Sequence, residues 1–165
     1  MNSFKYIKMK NIIVIILLIS SLFMSAQVNV YKGNSSYSSD VFCNVNDGKI
    51  YKNRSSYSSD ILCNIKENKI YKENSTYSSD VLFTIKDGVV YRGNSQYSSD
   101  IVFTIKDGKI YDKRSTYSSD ILANKKDNKV YEKQSSYSSD ILYSYDGMLT
   151  IEEFVAVWYV FKFVY

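Results

Sequence analysis

A hexad of hydroxyl and carboxylate side chains recurs along the chain. It reads SSYSSD at residues 35–40 and returns, unchanged or with one substitution, at 55–60, 75–80, 95–100, 115–120 and 135–140. Serine hydroxyls beside an aspartate could act as nucleophiles or supply the oxygen ligands that calcium prefers. The candidate repeat surface takes one tyrosine and one aspartate from each copy: Tyr37, Asp40, Tyr57, Asp60, Tyr77, Asp80, Tyr97, Asp100, Tyr117, Asp120, Tyr137 and Asp140.

Catalysis by this hexad is not expected. The chain contains no histidine, which removes the commonest general base and the commonest metal ligand. A serine–lysine pair stays formally possible, but one active site seldom needs six near-identical nucleophiles. We therefore predict a protein that is not an enzyme, with no catalytic residue and no cofactor.

A metal site is not expected either. One carboxylate per repeat, with strands in between, places too little charge at any single point for calcium. We predict instead that each aspartate and its serines hydrogen-bond local backbone amides where the chain turns. The tyrosine of each hexad is expected to pack against the adjacent serine-rich turns.

The elements that carry the hexad are predicted from its 20-residue period, which is typical of repeat architectures. Turn pairs such as Asp47-Gly48 favour a two-residue hairpin in each repeat. In the first repeat, alternation predicts that Val41, Cys43 and Val45 face the interior while Phe42 faces outward. The fifth repeat has Lys125 where the neighbouring repeats have an apolar residue, so we expect that strand end to be exposed to solvent.

The ends of the repeat array predict closure. A short strand at residues 28–31 lacks its partner and the strand at 141–145 lacks its follower, so their pairing would remove both exposed edges. A ring of about 12 strands leaves a lumen about as wide as a helix. The tail offers one, since Thr150 and Glu153 have the spacing of a capping box before an apolar run. The predicted fold is all-β with one helix: a closed antiparallel barrel of about 12 strands from six 20-residue hairpin repeats, with a C-terminal hydrophobic helix in its centre.

The predicted domains are a signal peptide at residues 1–26, the hairpin barrel at 27–150 and the helix at 151–165. The first segment runs from a basic start into an apolar run too short to span a membrane, which is typical of a cleaved secretory signal. The first cysteine is Cys43, so no lipid-anchor cysteine follows this segment. The protein is expected to be secreted or periplasmic.

The two cysteines are expected to stay unbridged. Cys43 and Cys63 occupy the same position in successive repeats, which places them about two strand spacings apart, farther than a disulfide spans.

The charge balance excludes nucleic acid as a partner. Without Lys5, Lys8 and Lys10 of the signal, 18 of the 21 basic residues remain against 17 acidic ones, so no nucleic-acid partner is predicted.

The repeated Tyr-Ser-Asp blocks, the Asp-Gly turns and the closing stretch LTIEEFVAVWYVFKFVY resemble the beta-flower repeat family of bacterial proteins, in its 4-fold form. The resemblance implies a shallow, radially symmetric barrel around a hydrophobic interior, similar in shape to Tubby-like barrels. Tubby-like barrels bind membrane phosphoinositides through basic patches. The linear sequence shows no matching cluster of lysine and arginine, so this property is not carried over.

Two functions are compatible with these features. The first is an exported, non-enzymatic structural or interaction module that presents its Tyr-Ser-Asp surface to a protein or envelope partner. The alternative is a membrane-lipid or glycan/cell-wall binding module that uses the barrel mouth and the same loops. A lumen filled by the helix would leave no room inside for an acyl chain.

Overall fold

The computed structural model describes residues 27–165, so the predicted signal peptide at 1–26 lies outside the described residues. Twelve antiparallel strands form a closed barrel, in which each strand pairs with its neighbours in the chain and the first pairs with the last. The strands are β1 (Val28–Lys32), β2 (Val41–Asn46), β3 (Lys49–Lys52), β4 (Ile61–Lys66), β5 (Lys69–Lys72), β6 (Val81–Lys86), β7 (Val89–Arg92), β8 (Ile101–Lys106), β9 (Lys109–Asp112), β10 (Ile121–Lys126), β11 (Lys129–Glu132) and β12 (Ile141–Tyr145). A helix, α1 (Ile151–Phe163), follows them.

Five two-residue turns join each long strand to the next short one. Both residues of each turn have positive φ, as at Asp87 (51°) and Gly88 (76°), which matches the twist of the flanking strands. A Cβ added at Gly88 would lie 2.6 Å from the carbonyl oxygen of Ile105, so glycine is required there by space as well as by φ. The hairpin prediction is confirmed.

Each long strand carries a one-residue bulge near its start, which strict alternation did not predict. On β2, Cys43 pairs with Val30 and Val41 pairs with Tyr31, so Phe42 is the extra residue. Phe42 therefore turns into the core, whereas Val41 is buried outside the core cluster. The expected faces of these two residues were wrong. The same shift recurs in the other five repeats.

The predicted closure of the barrel is confirmed, and the structure shows that the chain's own ends make it. β1 pairs with β12 in the register Val30–Tyr145, Tyr31–Ser144 and Lys32–Tyr143. Closure pairs both of the edges that an open array of hairpins would leave unpaired.

The helix α1 fills the lumen. Its first turn is closed by the predicted capping box: Thr150 Oγ1 accepts from the Glu153 amide at 3.2 Å, and the Glu153 carboxylate accepts from the Thr150 amide at 2.9 Å. Its central side chains, Val155, Ala156 and Val157, are fully buried among the inward-facing strand residues. No helix within residues 27–165 combines the length and the hydropathy needed to cross a membrane.

The helix lies off the barrel axis, although the strands repeat regularly. It packs most closely on β2–β5, where the wall residues are the small Cys43 and Cys63. At three of the other four equivalent positions stand the larger Phe83, Phe103 and Tyr143. Side-chain volume therefore sets the position of the helix, because a close-packed interior leaves no voids.

Two smaller expectations are also confirmed. Cys43 and Cys63 are buried and unbridged, and burial raises the pKa of Cys63 to about 12 and raises that of Cys43 well above its usual range. Lys125 is exposed at its strand end, with its ammonium 5.6 Å from the ring centre of Tyr145.

Candidate functional site

The six hexads leave one end of the barrel and fold back over its outer wall, where Ser35 and Ser36 share a cleft with the Asp127-Asn128 turn and Gln96 accepts from Lys86. Each connects the end of a short strand to the start of the next long strand, whereas the two-residue turns all lie at the opposite end. We call these the corner end and the turn end. Every corner finishes in a single 3-10 turn, such as Ser38–Asp40, in which the Asp40 amide donates to the Tyr37 carbonyl at 3.0 Å.

A serine–aspartate contact holds each corner. In the second repeat, Ser55 Oγ donates to the Asp60 carboxylate at 2.5 Å and accepts from the Tyr57 amide at 3.1 Å. The same pair of contacts recurs in the other five corners. The predicted hydrogen bond to the backbone is therefore made by the serine. The aspartate contributes by accepting a hydrogen bond from that serine.

The serine hydrogen bonds stabilise the charged form of the corner aspartates. Hydrogen bonds from Ser115 and Ser119 lower the pKa of Asp120, because they favour the charged form. Ser135 and Ser139 lower the pKa of Asp140 in the same way. Within residues 27–165, no group of three or more histidine, cysteine, aspartate or glutamate side chains could hold a metal ion. The six aspartates stand one per corner and do not converge.

The six tyrosines of the hexads are exposed, so the expectation that they pack against the serine-rich turns was wrong. Their exposed fractions lie between 73% and 77%: Tyr37, Tyr57, Tyr77, Tyr97, Tyr117 and Tyr137. The backbone of each tyrosine is fixed on both sides, because its amide donates to the serine and its carbonyl accepts from the aspartate amide. The structure therefore presents six aromatic rings on a hydrogen-bonded frame around the outside of the barrel.

A second set of polar residues anchors the corners and was missed in the sequence. Asn44 Nδ2 donates to the carbonyls of Asn53 and Ser55 at 3.0 and 2.9 Å, which ties the corner of the next repeat to the wall. The equivalent residues each donate to one or both of these carbonyl positions in the following corner: Asn64, Thr84, Thr104, Asn124 and Ser144. The available signal was a short polar side chain at the fourth position of every long strand.

The mouth at the corner end carries an arc of basic side chains. Cross-strand partners project to the same face, and Lys52 pairs with the interior residue Cys43 as Arg92 pairs with Phe83. Four neighbouring repeats thus place Lys32, Lys52, Lys72 and Arg92 at the mouth, and the remaining two place Asp112 and Glu132 there. The linear sequence showed no basic cluster because the four residues are 20 positions apart.

The end of α1 reaches the same mouth. The ring of Tyr165 lies 5.4 Å from that of Phe42, and the Lys32 ammonium is 5.9 Å from the Tyr165 ring centre. Lys32, Phe42, Phe161 and Tyr165 line a cleft of about 340 Å³. Phe163 and Val164 beside it are exposed. An apolar, partly aromatic surface therefore lies within the basic arc.

A second cleft follows the seam between β1 and β12, and its volume is about 380 Å³. Its strongest acceptor, Asp146, is occupied: it accepts from the Asn29 amide at 2.6 Å, from Asn29 Nδ2 at 2.9 Å and from the Tyr31 hydroxyl at 2.7 Å. Burial raises the pKa of Asp146, but these hydrogen bonds outweigh it and the net pKa is lowered. The residues of the seam cleft thus serve ring closure.

Comparison with known proteins agrees with this architecture. Neither a curated protein nor a solved structure is similar enough to the chain to count as a match. The sequence model of the 6-fold beta flower family matches residues 25–158. The expected beta-flower resemblance is confirmed, with six repeats in place of the four that its 4-fold form implied. The chain therefore belongs to the 6-fold beta flower family.

Proposed function

We propose that this protein is an exported, non-enzymatic interaction module that binds its partner through the corners of its six repeats and the barrel mouth beside them. The observation that carries the proposal is the ring of six exposed tyrosines, Tyr37 and its equivalents, on a frame fixed by hydrogen bonds. Tyrosine contributes large contact area at low conformational cost, and serine beside it adds adaptable hydrogen bonding. Such a surface suits recognition more than chemistry.

The absence of histidine supports the non-enzymatic part. The serine hydroxyl at the first position of each hexad donates to an aspartate carboxylate. Aspartate has an ordinary pKa of about 3.9, so a carboxylate is a weak base for activating a serine. The two thiols are buried in the core with raised pKa values, so they are poor nucleophiles. These groups are all engaged in holding the fold.

The repetition supports binding rather than a single reaction site. Six equivalent corners offer either one partner on the barrel axis or several weak contacts that act together. The helix occupies the lumen, so a ligand would be met at the mouth and not inside. Export rests on the basic start and short apolar run of residues 1–26.

The test is binding of the purified full chain to isolated cell envelopes. In the decisive variant all six corner tyrosines, Tyr37 and its equivalents, are replaced by serine. The control replaces exposed lysines at the turn end, Lys66, Lys86 and Lys106, by serine. Loss of envelope binding in the tyrosine variant alone supports the proposal, with circular dichroism showing that the variant is folded. Equal binding by the two variants and the wild type contradicts it.

A further inference from the structure

We infer that the partner of the corner end is an anionic lipid bilayer surface, on which the barrel docks with the end of α1 at the centre of the contact. This inference rests on the proposed function and names the partner of the same surface. It is carried by two features of the mouth that lie together only in the folded protein: apolar side chains and a basic arc.

The apolar centre is formed by the last turn of α1 and the residues that follow it. Phe163, Val164 and Tyr165 are 68%, 46% and 51% exposed, although the remainder of the helix is largely buried. A contiguous exposed apolar patch of this kind on a small domain marks a protein or membrane contact.

The charge of the mouth favours a membrane over a protein as the partner. Lys32, Lys52, Lys72 and Arg92 are exposed and neighbouring, while Asp112 and Glu132 occupy the opposite side. The apolar residues lean towards the basic side: Tyr165 lies under Lys32, and Phe163 stacks on Tyr159, which contacts Phe83 of β6. Positive side chains beside an inserted apolar patch attract anionic lipid headgroups.

Two nearby acidic groups reduce this charge only in part. Glu73 lies 3.8 Å from Lys72 in an exposed ion pair, which is a weak contact. The corner aspartates keep their negative charge, because the serine hydroxyls are neutral donors, but they stand one per corner around the whole barrel whereas the basic side chains are gathered on one side of the mouth. The filled lumen means that lipid is contacted at the surface and is not extracted.

The first experiment is flotation of the full chain with vesicles made of equal parts phosphatidylglycerol and phosphatidylcholine, and with vesicles of phosphatidylcholine alone. The test variant replaces Lys32, Lys52 and Lys72 by glutamine. The control makes the same change of net charge at the turn end, with Lys66, Lys86 and Lys106 replaced by glutamine. All three proteins share residues 1–26, so any contribution of that segment is common to them.

We expect the wild type and the control to bind the anionic vesicles alike, and the test variant to bind on the order of a hundredfold more weakly at low salt. Binding of the wild type should also fall as salt is added. Wild type that does not float, or equal loss in both variants, overturns the inference. If vesicles are not bound while envelope binding still depends on the corner tyrosines, the bilayer is excluded and the proposed function stands with a protein or glycan partner.

A second measurement locates the contact. Quenching by brominated lipids is compared between Phe163→Trp, at the corner end, and Met148→Trp, an exposed position beside the start of the helix at the turn end. Trp158 contributes equally to both proteins. Quenching of the Phe163→Trp protein above that of the Met148→Trp protein supports docking by the corner end. Equal quenching, or stronger quenching at position 148, contradicts it.

Discussion

The Ser144 hydroxyl donates to the carbonyl of Ser35 at 3.0 Å, although 109 residues separate them in the chain. This contact is equivalent to the ones that Asn44, Asn64 and Asn124 make to the next corner, and it joins the last repeat to the first. The ring is thus closed by the same side-chain interaction that joins its neighbouring repeats, in addition to the pairing of β1 with β12.

Removal of the hydrogen bond from Ser144 to Ser35 should destabilise the seam between β1 and β12. We expect Ser144→Ala to lower the free energy of unfolding by about 1 kcal/mol, because a partly buried carbonyl loses its donor. Ser144→Asn should keep wild-type stability, since Asn occupies the equivalent position in the first, second and fifth repeats. Urea unfolding followed by circular dichroism measures both. A result in which Ser144→Ala and the exposed control Ser36→Ala are equally stable contradicts this role.

The helix should be required for the barrel to fold. Val157 is fully buried in the lumen, so Val157→Asp is expected to destabilise the protein by more than about 4 kcal/mol, because an unpaired carboxylate would be buried. The matched change Ile151→Asp places the same residue in the exposed first turn, where an acid is favourable, and should alter stability by less than about 0.5 kcal/mol.

Deletion of residues 151–165 tests the same role more severely. The deletion should abolish cooperative thermal unfolding, since the inward wall residues would lose their packing partner. A deleted chain that melts like the wild type would show that the barrel does not depend on α1.

The corner aspartates should make the free energy of unfolding depend on pH in the acidic range. Serine hydrogen bonds lower the pKa of Asp120 and Asp140 below the unfolded value of about 3.9. Their contribution is therefore fully present above that value and is lost as the pH falls through the lower, folded pKa values. The double variant Asp120→Asn, Asp140→Asn should be less stable than the wild type at pH 6, and the difference should narrow below pH 4.

Urea midpoints of both proteins across this pH range provide the measurement. The variant Asp47→Asn, at an exposed turn of the opposite end, serves as the control for charge alone. A stability difference that stays constant down to the lowest pH would argue against the serine–aspartate contacts as its source.

The thiols should be inert in the folded protein. Burial raises the pKa of Cys63 to about 12 and that of Cys43 above its usual range, so almost no thiolate exists at pH 8. We expect alkylation by iodoacetamide to be slow in buffer and rapid in denaturant, with both cysteines modified together on unfolding. Rapid modification of either cysteine in the native protein would show that the core around it is open.

Much of the architecture was determined by the sequence alone. The 20-residue period, the Asp-Gly turns and the complementary strand ends at 28–31 and 141–145 predicted a closed ring of hairpins, since each acts locally or through repetition. The spacing of Thr150 and Glu153 predicted where the helix begins, because a capping box is satisfied within one turn.

Only the tertiary structure decided which side chains meet at the mouth. A single inserted residue per long strand turns Phe42 inward and Val41 outward, and an alternating pattern does not encode such a bulge. The tyrosine side chains of the hexads are exposed, since it is the backbone groups of these residues that make the hydrogen bonds of the corner. Lys32, Lys52, Lys72 and Arg92 form one arc because barrel closure, and not proximity in the chain, brings positions 20 residues apart to the same rim.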